Sequence, residues 1–414
     1  MATNTDAIRS VLRRYYAVWG MYSFAGGFLF GVYPLFLRAR GLTQFQINSV
    51  LATYFIVLFL TDVPTGAFAD ALGRRRSCVL GATLRVIAFT MYFFAHHYYA
   101  FLLAESIDGI GTTFGNGAID AWGVDALDDA GHVGSKDRLF SRLSQLQTMF
   151  FMASSIIGAY VADIDIAYPW LLGASGYLCC GVVAWFMMRD TRSHAVAIKL
   201  SAMPAQVAER VSSGLKSGFS ARNVLMLSTA GAIAFAAWAP YWVEWPIVFD
   251  ASFNVGIWII GWIYCALALA RMIGAEVVSR MYSDETIRAN RVVGMVIMTG
   301  AGLSIAGLCG GMPWLMLGCL FAMNLSFGAL QPLLQSWFNE QIESDQRATL
   351  LSFNSTFQTA GGSMGLLANG RIADAYGIPL AWQLAGLLSM CAAPIYWMLR
   401  PRTEEAVIAA GEVE

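Results

Sequence analysis

Five polar residues recur within an otherwise apolar stretch: Glu105, Asp108, Thr112, Asn116 and Asp120. On a helix at 100° per residue they fall within about 120° of arc, one face. Gly109 and Gly123 share that stripe, and Asp125 sits nearly opposite. Ionisable groups in a membrane are costly and therefore default candidates for function. Glu105 and Asp108, one turn apart, are the pair suited to taking up and releasing a proton near neutral pH. Asp62 and Asp120 are further candidates for the same task.

Other groups invite a structural reading first. Counted along their spans at 1.5 Å per residue, Asp62, Arg85 and Asp120 come out at similar depth, so an Asp–Arg–Asp cluster that neutralises itself is expected. Arg271 and Glu276 are a possible second pair, although five residues apart. Trp238, Tyr241, Trp242 and Glu244 stand around Pro240 and Pro246. Aromatic residues there suggest a belt at the membrane interface, yet with a carboxylate among them they would also suit an organic cation. Asn324, Gln331, Gln335, Asn354 and Gln358 add uncharged polar contacts for a substrate cavity, and Arg271 adds a charged one.

The elements that must position these residues follow from composition. The chain of 414 residues is 57% hydrophobic and only 13% charged, far from the balance of a soluble protein. Read in stretches of roughly 20 apolar residues, it divides into twelve spans: 15–38, 46–69, 77–97, 100–127, 139–162, 168–188, 222–249, 254–281, 290–310, 313–338, 347–372 and 377–399. Long, uniformly apolar segments exclude a barrel and predict an all-α membrane protein. Of the 26 Lys and Arg, 21 fall on one side, against only Arg38, Arg40 and Arg371 on the other. That bias places both termini in the cytoplasm. Residues 1–188 and 222–402 form two six-helix bundles, 189–221 a cytoplasmic linker and 403–414 a tail. Val207, Val211 and Leu215 suggest an amphipathic helix in the linker.

A net charge of −1 gives no field to recruit nucleic acid. The seven cysteines form no Cys-x-x-Cys pair and the four histidines lack ligand spacing, so neither a metal nor a disulfide framework is expected. A phosphate loop is missing, and no Ser/His/Asp set falls on one membrane side. The chain thus reads as neither an enzyme nor an ATP-driven pump, and no cofactor is implied.

Helix ends repeat. Gly66-Ala-Phe-Ala-Asp70, Gly158-Ala-Tyr-Val-Ala-Asp163 and Gly370-Arg-Ile-Ala-Asp374 close spans two, five and eleven, with Gly274-Ala-Glu276 a degenerate copy in span eight. This is the trace of a three-plus-three inverted repeat duplicated into two halves. The loop after span two, Gly66-Ala-Phe-Ala-Asp70-Ala-Leu-Gly73-Arg74-Arg75-Arg76, resembles the signature between helices 2 and 3 of the major facilitator superfamily. The resemblance implies twelve helices in two pseudo-symmetric bundles, with helices 1, 4, 7 and 10 around a central cavity. It also implies a cytoplasmic gate at Gly66, Asp70, Gly73 and Arg74, in which Asp70 meets helix 11 and an arginine meets an acid at the end of helix 4. Asp125 fits that acid. In the second half, Glu340 and Arg347 are the corresponding gate candidates, with Arg347 pairing Glu340 or Asp345.

The expected function is secondary transport by alternating access, proton-coupled, of a small organic solute. The excess of acids over Arg85 and Arg271 within the spans favours a cationic or neutral amphiphile. Where drug–proton members resemble Arg-x-x-Gln-Gly in helix 4, this chain has Glu105-Ser-Ile-Asp108-Gly109, an acid in place of the base. The stretch Ser154-Ser155-Ile-Ile-Gly158 lacks the Gly-Pro motif of the antiporters. Direction is not read from it, and efflux is placed ahead of uptake. A monomer in the inner membrane, in contact with lipid, is expected. The alternatives are a lipid or lysolipid flippase-like member and a non-transporting receptor or scaffold on the same fold.

Overall fold

The structure is a computed structural model that describes residues 2–132, 137–189, 212, 216–281, 285–342 and 346–399. The expected linker helix, Asp345 and the tail lie outside the described residues. Among the described residues every regular element is helical. In order they are α1 (Ala2–Gly27), α2 (Val32–Ala39), α3 (Gln44–Leu72), α4 (Arg74–Phe94), α5 (Tyr98–Asp129), α6 (Asp137–Ala162) and α7 (Tyr168–Met187). Then come α8 (Arg222–Trp238), α9 (Tyr241–Phe253), α10 (Trp258–Ser279), α11 (Glu285–Leu308), α12 (Pro313–Glu340), α13 (Arg347–Tyr376), α14 (Ile378–Met390) and α15 (Ala393–Met398).

Nine stretches among the described residues are long and apolar enough to cross a bilayer, and α1 with α2, α8 with α9 and α14 with α15 each count as one of them. The more polar α5, α6 and α13, with 32, 26 and 30 residues, match them in length. The protein is therefore an all-helical integral membrane protein, and each of these rods falls on one expected span. Proline explains the bends. A proline ring clashes with the carbonyl four residues back. Pro34 thereby breaks the rod at Phe30, between α1 and α2, and Pro394 ends α14 at Met390.

Two compact units emerge. One comprises Met1–Val207 with Trp245–Cys265, the other Ala208–Glu244 with Ala266–Glu414. In the first, α4 packs on α5 and α7, while α1 packs on α6 and α7. The second repeats these four contacts: α11 packs on α12 and α14, α8 on α13 and α14. The halves expected to divide in the linker thus share one packing plan, but Trp245–Cys265 packs with the first. Asp163, at the end of α6, explains this. Its carboxylate accepts the backbone N–H groups of Ile257 (2.5 Å) and Trp258 (3.2 Å), which the start of α10 leaves without helical partners. Tyr160 stacks on Trp258 at 6.0 Å.

The repeat is also visible in the backbone. Gly73 joins α3 to α4 at φ 98°, ψ 145°, and Gly377 joins α13 to α14 at φ 88°, ψ 154°. Each stands three residues after the repeated aspartate, Asp70 or Asp374. That conformation is essentially reserved for glycine.

Candidate functional site

The polar stripe of α5 divides in two. The part nearer the start of α5 is buried: Glu105 and Asp108 are each 6% exposed and Thr112 4%. Asn116 and Asp120, nearer the basic loop, are exposed.

Asp108 is held by Arg85 of α4, which donates from Nε to Oδ1 at 2.8 Å and from Nη2 to Oδ2 at 3.1 Å. Both groups are buried, and the guanidinium also lies 4.1 Å from the centre of the Tyr177 ring and 5.3 Å from that of Tyr22. The expected Asp62–Arg85–Asp120 cluster is therefore corrected. Asp62 is exposed on α3. Asp120 accepts instead from the Tyr15 hydroxyl (2.8 Å) and the Trp19 indole (2.9 Å) of α1. The reason is the hairpin geometry. Arg85 precedes the end of α4 by nine residues and Asp108 follows the start of α5 by ten, so both lie level when counted from the turn they share.

Glu105, one turn beyond Asp108, has a different environment. It accepts a hydrogen bond from the Tyr92 hydroxyl. Tyr92 is stacked on Trp170 at 3.9 Å with the rings 5° apart, and Tyr33 stands 6.1 Å from both. Among the described residues no basic group lies within ion-pair distance of Glu105, because Arg85 is committed to Asp108. Thr112 accepts from the Tyr54 hydroxyl at 3.3 Å. The stripe thus presents, in sequence, a carboxyl with a neutral donor, a closed ion pair and a hydroxyl.

The packing plan locates the counterpart of this site in the second unit. Arg85 lies eleven residues after Arg74 on α4, and Thr299 lies eleven after Arg288 on α11. Thr299 donates to Ser326 of α12 at 3.3 Å, both buried. A neutral hydroxyl pair serves there, so the fold itself does not demand the ion pair.

The second unit has its own polar cluster. Asn324 donates to the Tyr241 hydroxyl (3.0 Å), and Trp382 donates its indole N–H to Glu244 (2.8 Å). Trp238 is stacked on Phe327 at 4.0 Å and meets Trp242 at 4.4 Å. The interface belt is corrected: Trp238 and Tyr241 are buried at 5% and 2%, and Glu244 is wholly so. The bend at Ala239 and Pro240 turns these rings inward. Arg271, Asn354 and Gln358 are half-buried, and Gln331 and Gln335 exposed. Glu276 pairs with Arg280 at 2.5 Å, four residues on.

At the basic end, Arg74 meets Asp70 at 2.6 Å and Asp125 at 3.9 Å, the arginine–acid contact expected between helices 3 and 4. Gly66 lies one turn before Asp70 with open space beside it. In the second unit Glu340 pairs with Arg288 at 2.5 Å, while Arg347 donates to Asn339 at 3.1 Å, so the expected Arg347–Glu340 pair is corrected. Arg288 to Glu340 joins the start of α11 to the end of α12, as Arg74 to Asp125 joins α4 to α5. Sequence reasoning missed Arg288 although the repeat, carried through spans three and nine, points to it.

Comparison with known proteins agrees with this geometry. The family model of the Major Facilitator Superfamily matches residues 17–365 and 227–413. The chain is similar to the multidrug resistance protein MdtH of Aeromonas salmonicida (strain A449), 21% identical over 370 residues, 88% of this chain and 85% of the relative. It is also similar to the quinolone resistance protein NorA of Staphylococcus aureus (strain MRSA252), 20% identical, with 84% and 86% covered. Among solved structures, the nucleoside transporter NupG superposes with a TM-score of 0.73 at 12% identity, covering 94% of this chain and 98% of that one.

Proposed function

This chain belongs to the major facilitator superfamily, and on that premise we propose that it moves a small cationic or neutral amphiphilic solute across the cytoplasmic membrane by proton-coupled alternating access. Both termini lie in the cytoplasm in this reading, as the arginine distribution suggests. Efflux is favoured by the similarity to the multidrug and quinolone resistance proteins.

One observation carries the coupling: Glu105 is a buried carboxyl whose partner is the neutral Tyr92 hydroxyl, on a helix face that also bears a closed Arg85–Asp108 pair. A neutral partner lets the carboxyl exist with or without its proton. Asp108, chelated by a guanidinium, is instead the fixed member that keeps Arg85 in place. When Glu105 loses its proton, a second negative charge stands one turn from Asp108, and Arg85 has two carboxylates to serve. That redistribution in a low-dielectric setting is a large electrostatic change for a small movement. A cationic solute near the stripe compensates the same charge, so proton and cation compete for one site. The exposed Asn116 and Asp120, polar groups that are costly against lipid, suit a wet approach to it.

The test uses proteoliposomes and ethidium as the probe cation. Wild-type protein is expected to drive ethidium against its gradient when a pH gradient is imposed. Glu105→Gln is expected to lose that accumulation while still exchanging internal for external ethidium. Continued accumulation by Glu105→Gln would remove Glu105 from the coupling.

A further inference from the structure

A separate feature lies on the outer surface of the first unit. Between α4 and α7 runs an apolar groove of about 270 Å³. Ala82 and Gly181 form its floor, where a Cβ built on Gly181 would stand only 3.3 Å from that of Ala82. Val79 and Val86 of α4 and Leu178 and Val182 of α7 form its walls. Val79 and Val86, seven residues apart, set its length at about 10 Å. Leu178 and Val182 are 60% and 51% exposed within a membrane-spanning helix, a face that only hydrocarbon can cover.

The groove's end is charged. Trp185 belongs to the lining, and the Arg75 guanidinium lies 4.5 Å from the centre of its ring. Arg76 is exposed beside it on α4, and Arg189 is exposed just past the end of α7. An apolar channel along the helices, an indole at its mouth and arginines beyond is complementary to one occupant: a phospholipid with acyl chain in the groove and an anionic headgroup on the arginines.

We propose that this groove is a binding site for an anionic phospholipid of the leaflet on the basic side. The site is independent of the transport stripe. Its preference for net negative headgroups over zwitterionic ones should amount to about fivefold per engaged arginine.

The test is quenching of Trp185 fluorescence by brominated lipid in reconstituted vesicles, the Trp185 signal being wild type minus Trp185→Phe. Brominated phosphatidylglycerol is expected to half-quench Trp185 at a mole fraction at least about fivefold below brominated phosphatidylcholine. The same subtraction for Trp314, 71% exposed at the start of α12, is expected to show no preference. Arg75→Gln should narrow the gap between the two Trp185 curves by about fivefold. Coincident curves in the wild type, an equal preference at Trp314, or a preference undiminished in Arg75→Gln would each overturn the site. The wild-type comparison needs no variant at Arg75, so a folding defect there cannot rescue the proposal.

Discussion

Replacing Asp108 by Asn isolates the cost of the buried ion pair. Asn keeps the volume and one carbonyl acceptor but cancels the charge that Arg85 meets through two bonds of 2.8 and 3.1 Å. Removing one member of a buried pair leaves the other uncompensated, which costs about 3–5 kcal/mol. The rings of Tyr177 and Tyr22 retain part of the guanidinium's stabilisation, about 0.5–2 kcal/mol as a cation–π contact. A net loss of about 1–4.5 kcal/mol is therefore expected, or roughly 2–18 °C in melting temperature at 2–4 °C per kcal/mol. The counterpart in the second unit, Thr299 with Ser326, adds a second arm. The double variant Arg85→Met, Asp108→Asn removes the stranded charge and should recover more than half of the loss. The assay is a thermal melt of purified protein in detergent. A single variant that melts with the wild type, or a double variant worse than the single, would refute the argument that the pair is desolvated.

Other expectations follow from single contacts. Gly377→Ala must place a Cβ at φ 88°, and should cost about 1–3 kcal/mol in the same melt, with Gly73→Ala comparable at φ 98°. Trp382→Phe withdraws a donor from wholly buried Glu244 and should cost about 1.5–3 kcal/mol, a loss that a melt of the variant reads directly. Arg74→Gln and Arg288→Gln break pairs that are partly solvated. Each should lower the initial rate of ethidium flux with little change in melting temperature, since such pairs contribute little to stability.

Much of this arrangement was legible beforehand because it is local. Hydropathy located the nine most apolar rods, since length and apolarity are properties of contiguous sequence. Gly73 was legible through its place in the loop motif, and the Arg74–Asp125 contact through resemblance. The stripe on α5 was legible through the 100° period. What failed depended on counting across several elements. Depth counted from the basic loop sets Arg85 level with Asp62 and Asp120, because errors add over three helices; the short turn before α5 sets the true level. Sequence proximity offers Arg347 to Glu340 or Asp345, whereas the partner of Glu340, Arg288, lies 52 residues away. The belt reading of Trp238 and Tyr241 took aromatic composition for exposure, and only packing distinguishes the two. Nothing local announces that Trp245–Cys265 packs with the first unit, because Asp163 achieves it through backbone N–H groups that carry no sequence signature.

In the proposed coupling Glu105 takes and gives a proton, and infrared difference spectroscopy of the reconstituted protein observes this without any substrate. Stepping the pH is predicted to make a protonated-carboxyl C=O band appear and vanish, shifted by deuteration, present in Arg74→Gln and absent from Glu105→Gln. A band that persists unchanged in Glu105→Gln, or none in the wild type across the range in which it stays folded, would contradict the account.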